Sequence, residues 1–206
     1  MFAQYTHLDS YEEELLSRGC RTIVGVDEAG RGPLAGPVIA AAVHIPFDVQ
    51  IEGIDDSKKL TAKKRAELYR LLVEHPQVVI GIGRMDSDEI DRINILQATF
   101  AAMLNAVEKL PLTPDHLLID GHMSPRTQLA TTPLVGGDGK SRLIGAASII
   151  AKHVRDQIML EYHAKWPEYG FDSHKGYGTK KHLDALKMLG VLPIHRHSFA
   201  PVRTVP

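Results

Sequence analysis

Two apolar runs in this sequence end on carboxylates. Thr22 to Val26 runs straight into Asp27-Glu28, and Leu117 to Ile119 ends on Asp120. An acid at the end of a strand projects from a rigid element into the crevice at the sheet's edge. A fourth acid, Asp138, stands just before a helical stretch whose N-terminal dipole tolerates an anion. If the four converge, repulsion and desolvation push them toward their neutral forms unless a cation relieves them. An all-oxygen set favours Mg²⁺ or Mn²⁺ over zinc, and two such ions about 3.5–4 Å apart can activate a water and steady the leaving oxygen of a phosphodiester. The competing reading is that Asp and Glu beside glycine are common turn and cap residues. For Asp120 or Asp138 alone the two readings are evenly balanced. For Asp27-Glu28, followed at once by Gly30-Arg31-Gly32, the chemical reading is the stronger.

Glycines without Cβ let a backbone approach a ligand closely. A 2′-hydroxyl both donates and accepts, so exposed main-chain groups at Gly30-Arg31-Gly32 are suited to telling ribose from deoxyribose. A Gly-Arg-Gly turn alone is a weak signal and usually only a turn. Lys58, Lys59, Lys152 and Lys175 are candidate phosphate contacts, and Tyr177, between Gly176 and Gly178, could pack on a sugar or base. Each has a bland counterpart, a surface lysine or a tyrosine anchoring a turn. His195 and His197 form a His-x-His pair without acidic companions, more often incidental than a metal site.

The elements that must carry these residues follow from periodicity and punctuation. Ser10 and Glu13 open a short helix over about 10–18; a strand at 22–26 and another at 38–45 flank a turn rich in Gly and Pro. A helix over 61–74 starts at Thr61, a strand covers 78–83, and Asp86 with Glu89 caps a long helical pattern. In that pattern Ile93, Leu96, Phe100, Met103, Leu104 and Val107 form a stripe that reads as core. A short strand at 117–119 precedes a loop reaching Asp138, then helices over 144–165 and about 179–189. Strands alternating with helices after an opening hairpin predict an α/β domain on a mixed sheet. No repeat or low-complexity segment interrupts it.

The 206 residues suit one domain, and 44% hydrophobic content is ordinary for a soluble globular chain. There is no run of eighteen apolar residues, and the start is polar and acidic, so neither a membrane span nor a secretion signal is expected. The lone Cys20 suits a reducing, cytoplasmic compartment. A net charge of −1 does not announce nucleic-acid binding. Basic clusters at Lys58–Arg65 and Lys175–Lys181 could still make local footprints, although a solvated helix face is the plainer account of either.

Six blocks in order give the chain a specific resemblance to bacterial ribonuclease HII, the type 2 RNase H family. They are VDEAGRGPLAGPVIAAAV (26–43), DSKKLT (56–61), LLIDG (117–121), GDGKSRLIGAASIIAKHVRD (137–156), HKGYGTKKH (174–182) and IHRHSFAPV (194–202). The resemblance implies an RNase H-like fold, a mixed sheet flanked by helices, with roughly 160–206 as a helical extension that helps hold the duplex. It implies that Asp27, Glu28, Asp120 and Asp138 are the metal-binding catalytic quartet, Asp27 bridging. Gly30, Arg31 and Gly32 would sense the 2′-hydroxyl, and Tyr177 would pack on the neighbouring deoxyribose. Lys58, Ser148, Lys152 and Lys175 would contact phosphate, and Asp156 would have a supporting helix role. It further implies Mg²⁺- or Mn²⁺-dependent cleavage of RNA–DNA hybrids and nicking on the 5′ side of ribonucleotides embedded in DNA, leaving a 3′-hydroxyl and 5′-phosphate. Such nicking serves ribonucleotide excision in DNA replication and repair. The family default is a monomer. His122 and His197 depart from residues common in the family at their positions and bear on fine substrate contacts. Two rivals stand beside this reading: a phosphoryl-transfer enzyme with another substrate, and a non-catalytic RNA–DNA binding module.

Overall fold

The structure, a computed structural model, describes residues 10–54, 57 and 60–205. Ile23–Ala29 (β1) and Val38–His44 (β2) pair antiparallel, with Asp27 opposite Ala41 and Glu28 opposite Ala40. Val79–Met85 (β3) adds antiparallel to the far side of β2. On the other flank His116–Asp120 (β4) runs parallel to β1, and Ala130–Leu134 (β5) parallel to β4. The sheet is therefore mixed, in the order β3-β2-β1-β4-β5. Ser10–Ser17 (α1), Ala62–Glu74 (α2), Ser87–Glu108 (α3) and Arg142–Lys165 (α4) surround it.

Strand alternation divides the core into two layers. Ile23, Ile39, Ala41 and Val43 pack with α2 and α4, whereas Val24, Val26, Val38, Ala40 and Ala42 pack with α3. Continued one step, the same alternation sends Asp27 to the α4 face and Glu28 to the α3 face. Gly25 sits where α4 crosses β1: a Cβ there would stand 2.1 Å from the carbonyl carbon of Leu143. Only glycine lets the helix lie that close.

Two of the expected caps are present, at α2 and α3. Thr61 Oγ1 accepts from Lys64 N–H at 3.2 Å, and Asp86 and Glu89 form the reciprocal box at the start of α3. Ser141 Oγ accepts from Ile144 N–H at 3.2 Å, so α4 begins at Arg142, slightly before the expected residue 144. Three expectations need correction. The stretch from 121 to Asp138 is not all loop, because β5 lies within it. It has no apolar run, and its Pro133 is tolerated at a sheet edge, where a missing donor leaves no ladder bond unmade. The long helical pattern is broken at Asn94, whose φ of 67° leaves the helix and whose Oδ1 accepts from Leu96 and Gln97 N–H, recapping the second half. The stripe on α3 also splits. Met103 and Val107 are buried, but Ile93, Leu96, Phe100 and Leu104 are half-buried and line a surface groove with Met123 and Arg126.

Beyond α4 the chain forms Phe171–His174 (α5), Lys180–Leu189 (α6) and Ala200–Arg203 (α7). Tyr169, Phe171, Leu186, Ile194 and Val202 gather here with Leu34, Ala35 and Met159 into a third apolar cluster, which fastens this segment to the turn between β1 and β2. Among the described residues no helix is long and apolar enough to cross a membrane.

Candidate active site

β1 and β4 are adjacent and parallel, so their C-terminal ends open at the same edge of the sheet. A cleft of about 270 Å³ lies there, and Asp27, Glu28 and Asp120 line it together with Gly30, Arg31, Gly32, Ser148, Lys152 and Tyr177. Asp27 is only 4% exposed. Burial first, then the charges of Glu28 and Asp120, push its pKa well above the ordinary carboxylate range. Hydrogen bonds from Ser148 and from the Glu28 N–H, at 2.7 Å from Oδ1, oppose this. Ser148 in turn pairs with Ser57 Oγ at 2.8 Å. Asp120 Oδ1 accepts the Gly137 N–H at 2.7 Å, tying β4 to the turn Gly137–Gly139.

Asp138 is buried in that turn and does not line the cleft. Among the described residues, no three His, Cys, Asp or Glu side chains are gathered closely enough to form a ready coordination sphere. The donor chemistry nevertheless fits a hard cation. Three carboxylates share one wall, and burial together with its like-charged neighbours raises the pKa of Asp27, a conflict that a divalent cation would relieve.

The other expected contacts are distributed unevenly. Lys152 reaches the cleft while its Nζ donates to Asp156 Oδ1 at 2.7 Å; burial lowers its pKa. Asp156 also accepts from Arg65 Nη2 at 3.1 Å and so braces α4 against α2. Lys175 lies outside the lining, in a left-handed conformation with its Nζ turned back to the Asp172 carbonyl. Lys58 and Lys59 fall outside the described residues. The Tyr177 ring is 46% exposed and lies beside Gly32. His122 lines a shallow continuation of the cleft toward α3, and the His197 N–H donates to Asp91 at 2.7 Å.

Behind the glycine-rich turn are two buried arginines that the sequence did not single out. Arg155 donates to the carbonyls of Pro37 (3.0 Å), Ala35 (3.1 Å) and Lys175 (3.1 Å). Arg196 donates from Nη1 to Arg31 O (2.8 Å), from Nη2 to Gly30 O (2.5 Å), and from Nε and Nη2 to Gly36 O (3.1 and 2.8 Å). Burial depresses both pKa values, Arg155 to about 10 and Arg196 to about 9, the second also through its neighbour's charge. Gly30, at φ 102°, leaves room for them, since a Cβ there would meet Arg155 Nε at 2.1 Å. Ser57, Arg155 and Arg196 all lie in or beside the sequence blocks already singled out, which was the available signal.

Tyr177 is anchored by histidines. The Leu192 N–H donates to His195 Nδ1 (2.8 Å), so His195 Nε2 carries the hydrogen toward His182 Nε2 (3.0 Å), and His182 Nδ1 donates to the Tyr177 carbonyl (3.0 Å). Both rings are neutral, burial lowering their pKa values to about 4.

The family model described as Ribonuclease HII matches residues 24–202. The chain is 51% identical over 193 residues to ribonuclease HII of Chlamydia muridarum, covering 94% of this chain and 88% of that one. It is 50% identical over 203 residues to ribonuclease HII of Bacillus licheniformis, covering 98% and 79%. Among solved structures, ribonuclease H2 from Pyrococcus horikoshii OT3 superposes with a TM-score of 0.74 at 26% identity, covering 89% of this chain and 96% of that one. The α/β architecture described above is thus RNase H-like.

Proposed function

Because the chain belongs to the ribonuclease HII family, and is on that ground a ribonuclease H, we propose that it is an endonuclease acting on the ribonucleotide-containing strand of RNA–DNA hybrids and of DNA with embedded ribonucleotides. Cleavage falls on the 5′ side of the ribonucleotide and leaves a 3′-hydroxyl and a 5′-phosphate. The observation that carries this reading is the pairing of a carboxylate wall, Asp27, Glu28 and Asp120, with a glycine-lined wall and Tyr177 in one cleft.

Asp27, Glu28 and Asp120, with Asp138 as the fourth acid, would hold the Mg²⁺ or Mn²⁺ ions. Two such ions, when bound, supply an activated water and offset charge on the phosphodiester. The protein's own part is positioning. Ser148 and the Glu28 N–H fix the Asp27 carboxylate, and the Gly137 N–H fixes Asp120. Gly30, Arg31 and Gly32 would meet the ribose, Tyr177 would pack on the next deoxyribose, and Ser148, Lys152, Lys175 and Lys58 would supply phosphate contacts. The extension from about 160 onward supports the duplex. The protein works as a cytoplasmic monomer in removing ribonucleotides from DNA.

The test is cleavage of a labelled DNA duplex carrying one ribonucleotide, with Mg²⁺, Mn²⁺ or chelator, beside an all-DNA duplex. A metal-dependent nick 5′ to the ribonucleotide, with the all-DNA duplex intact, is expected. Cutting of long hybrids alone would leave the acidic site standing and remove the ribose-reading role of Gly30–Gly32 and Tyr177.

A further inference from the structure

We propose that Arg196 is a positioning residue for ribose recognition: by drawing the Gly30 and Arg31 carbonyls into the protein interior, it turns the Arg31 and Gly32 N–H groups out into the cleft. This deepens the assignment of Gly30-Arg31-Gly32 as the ribose reader and rests on it.

The geometry follows from the peptide bond. Every peptide bond among the described residues is trans, so each carbonyl and the N–H of the next residue point in opposite directions. Arg196 Nη2 takes the Gly30 carbonyl at 2.5 Å and Nη1 the Arg31 carbonyl at 2.8 Å. The N–H groups of Arg31 and Gly32 therefore face away from the guanidinium. Both residues are exposed and line the cleft, and among the described residues neither N–H donates to a protein acceptor. Buried carbonyls are held and exposed donors are left open, which is what a site for a hydroxyl acceptor requires.

The same guanidinium grips Gly36 O twice, at the far end of the turn, and stacks over Phe199 at 5.1 Å. A planar fork can hold three carbonyls at fixed angles; an ammonium at the same place is a point donor and cannot. Arg155 holds Ala35, Pro37 and Lys175 instead, so it fixes the rest of the turn and the approach to Tyr177 but touches neither carbonyl of the reading peptides.

Arg196→Lys separates orientation from charge. Its kcat/KM on the single-ribonucleotide duplex should fall by about ten-fold or more, as the loss of two or three buried hydrogen bonds implies, while its Kd for the all-DNA duplex stays unchanged. Arg142→Lys is the control: Arg142 is likewise buried and grips the carbonyls of Pro46, Phe47 and Val49, and neither it nor they line the cleft. It should lower the melting temperature and leave ribose discrimination intact. Should Arg196→Lys not fold, amide NMR of the unaltered protein decides: the Arg31 and Gly32 N–H signals should shift on binding the ribonucleotide duplex and not its all-DNA counterpart. Unshifted amides, or a folded Arg196→Lys that discriminates as before, overturn the role of Arg196. Failure of the unaltered protein to distinguish ribose at all would instead remove the reader on which the role rests.

Discussion

At the scale of single residues, Asp27 carries the main electrostatic tension. Its raised pKa means that the folded protein binds a proton there more tightly than the unfolded chain, so the site contributes less stability as pH rises from the unfolded value of 3.8 through the folded one. Asp27→Asn keeps the shape and removes the buried charge. Without metal at pH 7.5 the variant should melt above the unaltered protein; it should show no rise in melting temperature with Mn²⁺, and its cleavage should vanish. Calorimetry with and without Mn²⁺ checks this, and a lower metal-free melting temperature would contradict the burial argument. The acids could be read from sequence because strand ends announce themselves. The roles of Arg155 and Arg196 could not, since each is defined mainly by carbonyls of the β1–β2 turn more than a hundred positions earlier in the chain.

At the scale of elements, the decisive contact is α4 on β1, because one carries Ser148, Lys152 and Arg155 and the other carries Asp27 and Glu28. Gly25→Ala would place a methyl 2.1 Å from the Leu143 carbonyl carbon and force the helix outward. The cost should be about 1–3 kcal/mol or more, since backbone must move rather than a side chain. Denaturant titration should show an earlier midpoint, and cleavage should fall beyond what the stability loss explains, as Ser148 is drawn from Asp27. An unchanged midpoint would show that α4 shifts freely. Most elements were legible from apolar period and caps. β5 was not, because two threonines and Pro133 mask a strand that needs only one neighbour, and Asn94 hid its break by supplying the cap that restarts the helix.

At the scale of the whole molecule, the extension beyond α4 is held together internally by neutral buried histidines. His182 and His195 have folded pKa values near 4, below their ordinary 6.5, so their contribution is complete above pH 6.5 and is lost as pH falls toward 4. The melting temperature should therefore drop across that window, and His182→Gln should flatten the drop; an equally steep decline in the variant would place the sensitivity elsewhere. The sequence showed the helical character of this segment but gave His195 only an incidental part, because the partner that explains it, His182, is thirteen positions away on α6. The fastening of Gly30 and Arg31 by Arg196 also bears on the order of synthesis. A chain grows from its N-terminus, so all four acids leave the ribosome well before residue 196. Under the role proposed for Arg196, the turn at Gly30–Gly32 reaches its final shape only after residue 196 has emerged and folded back onto it.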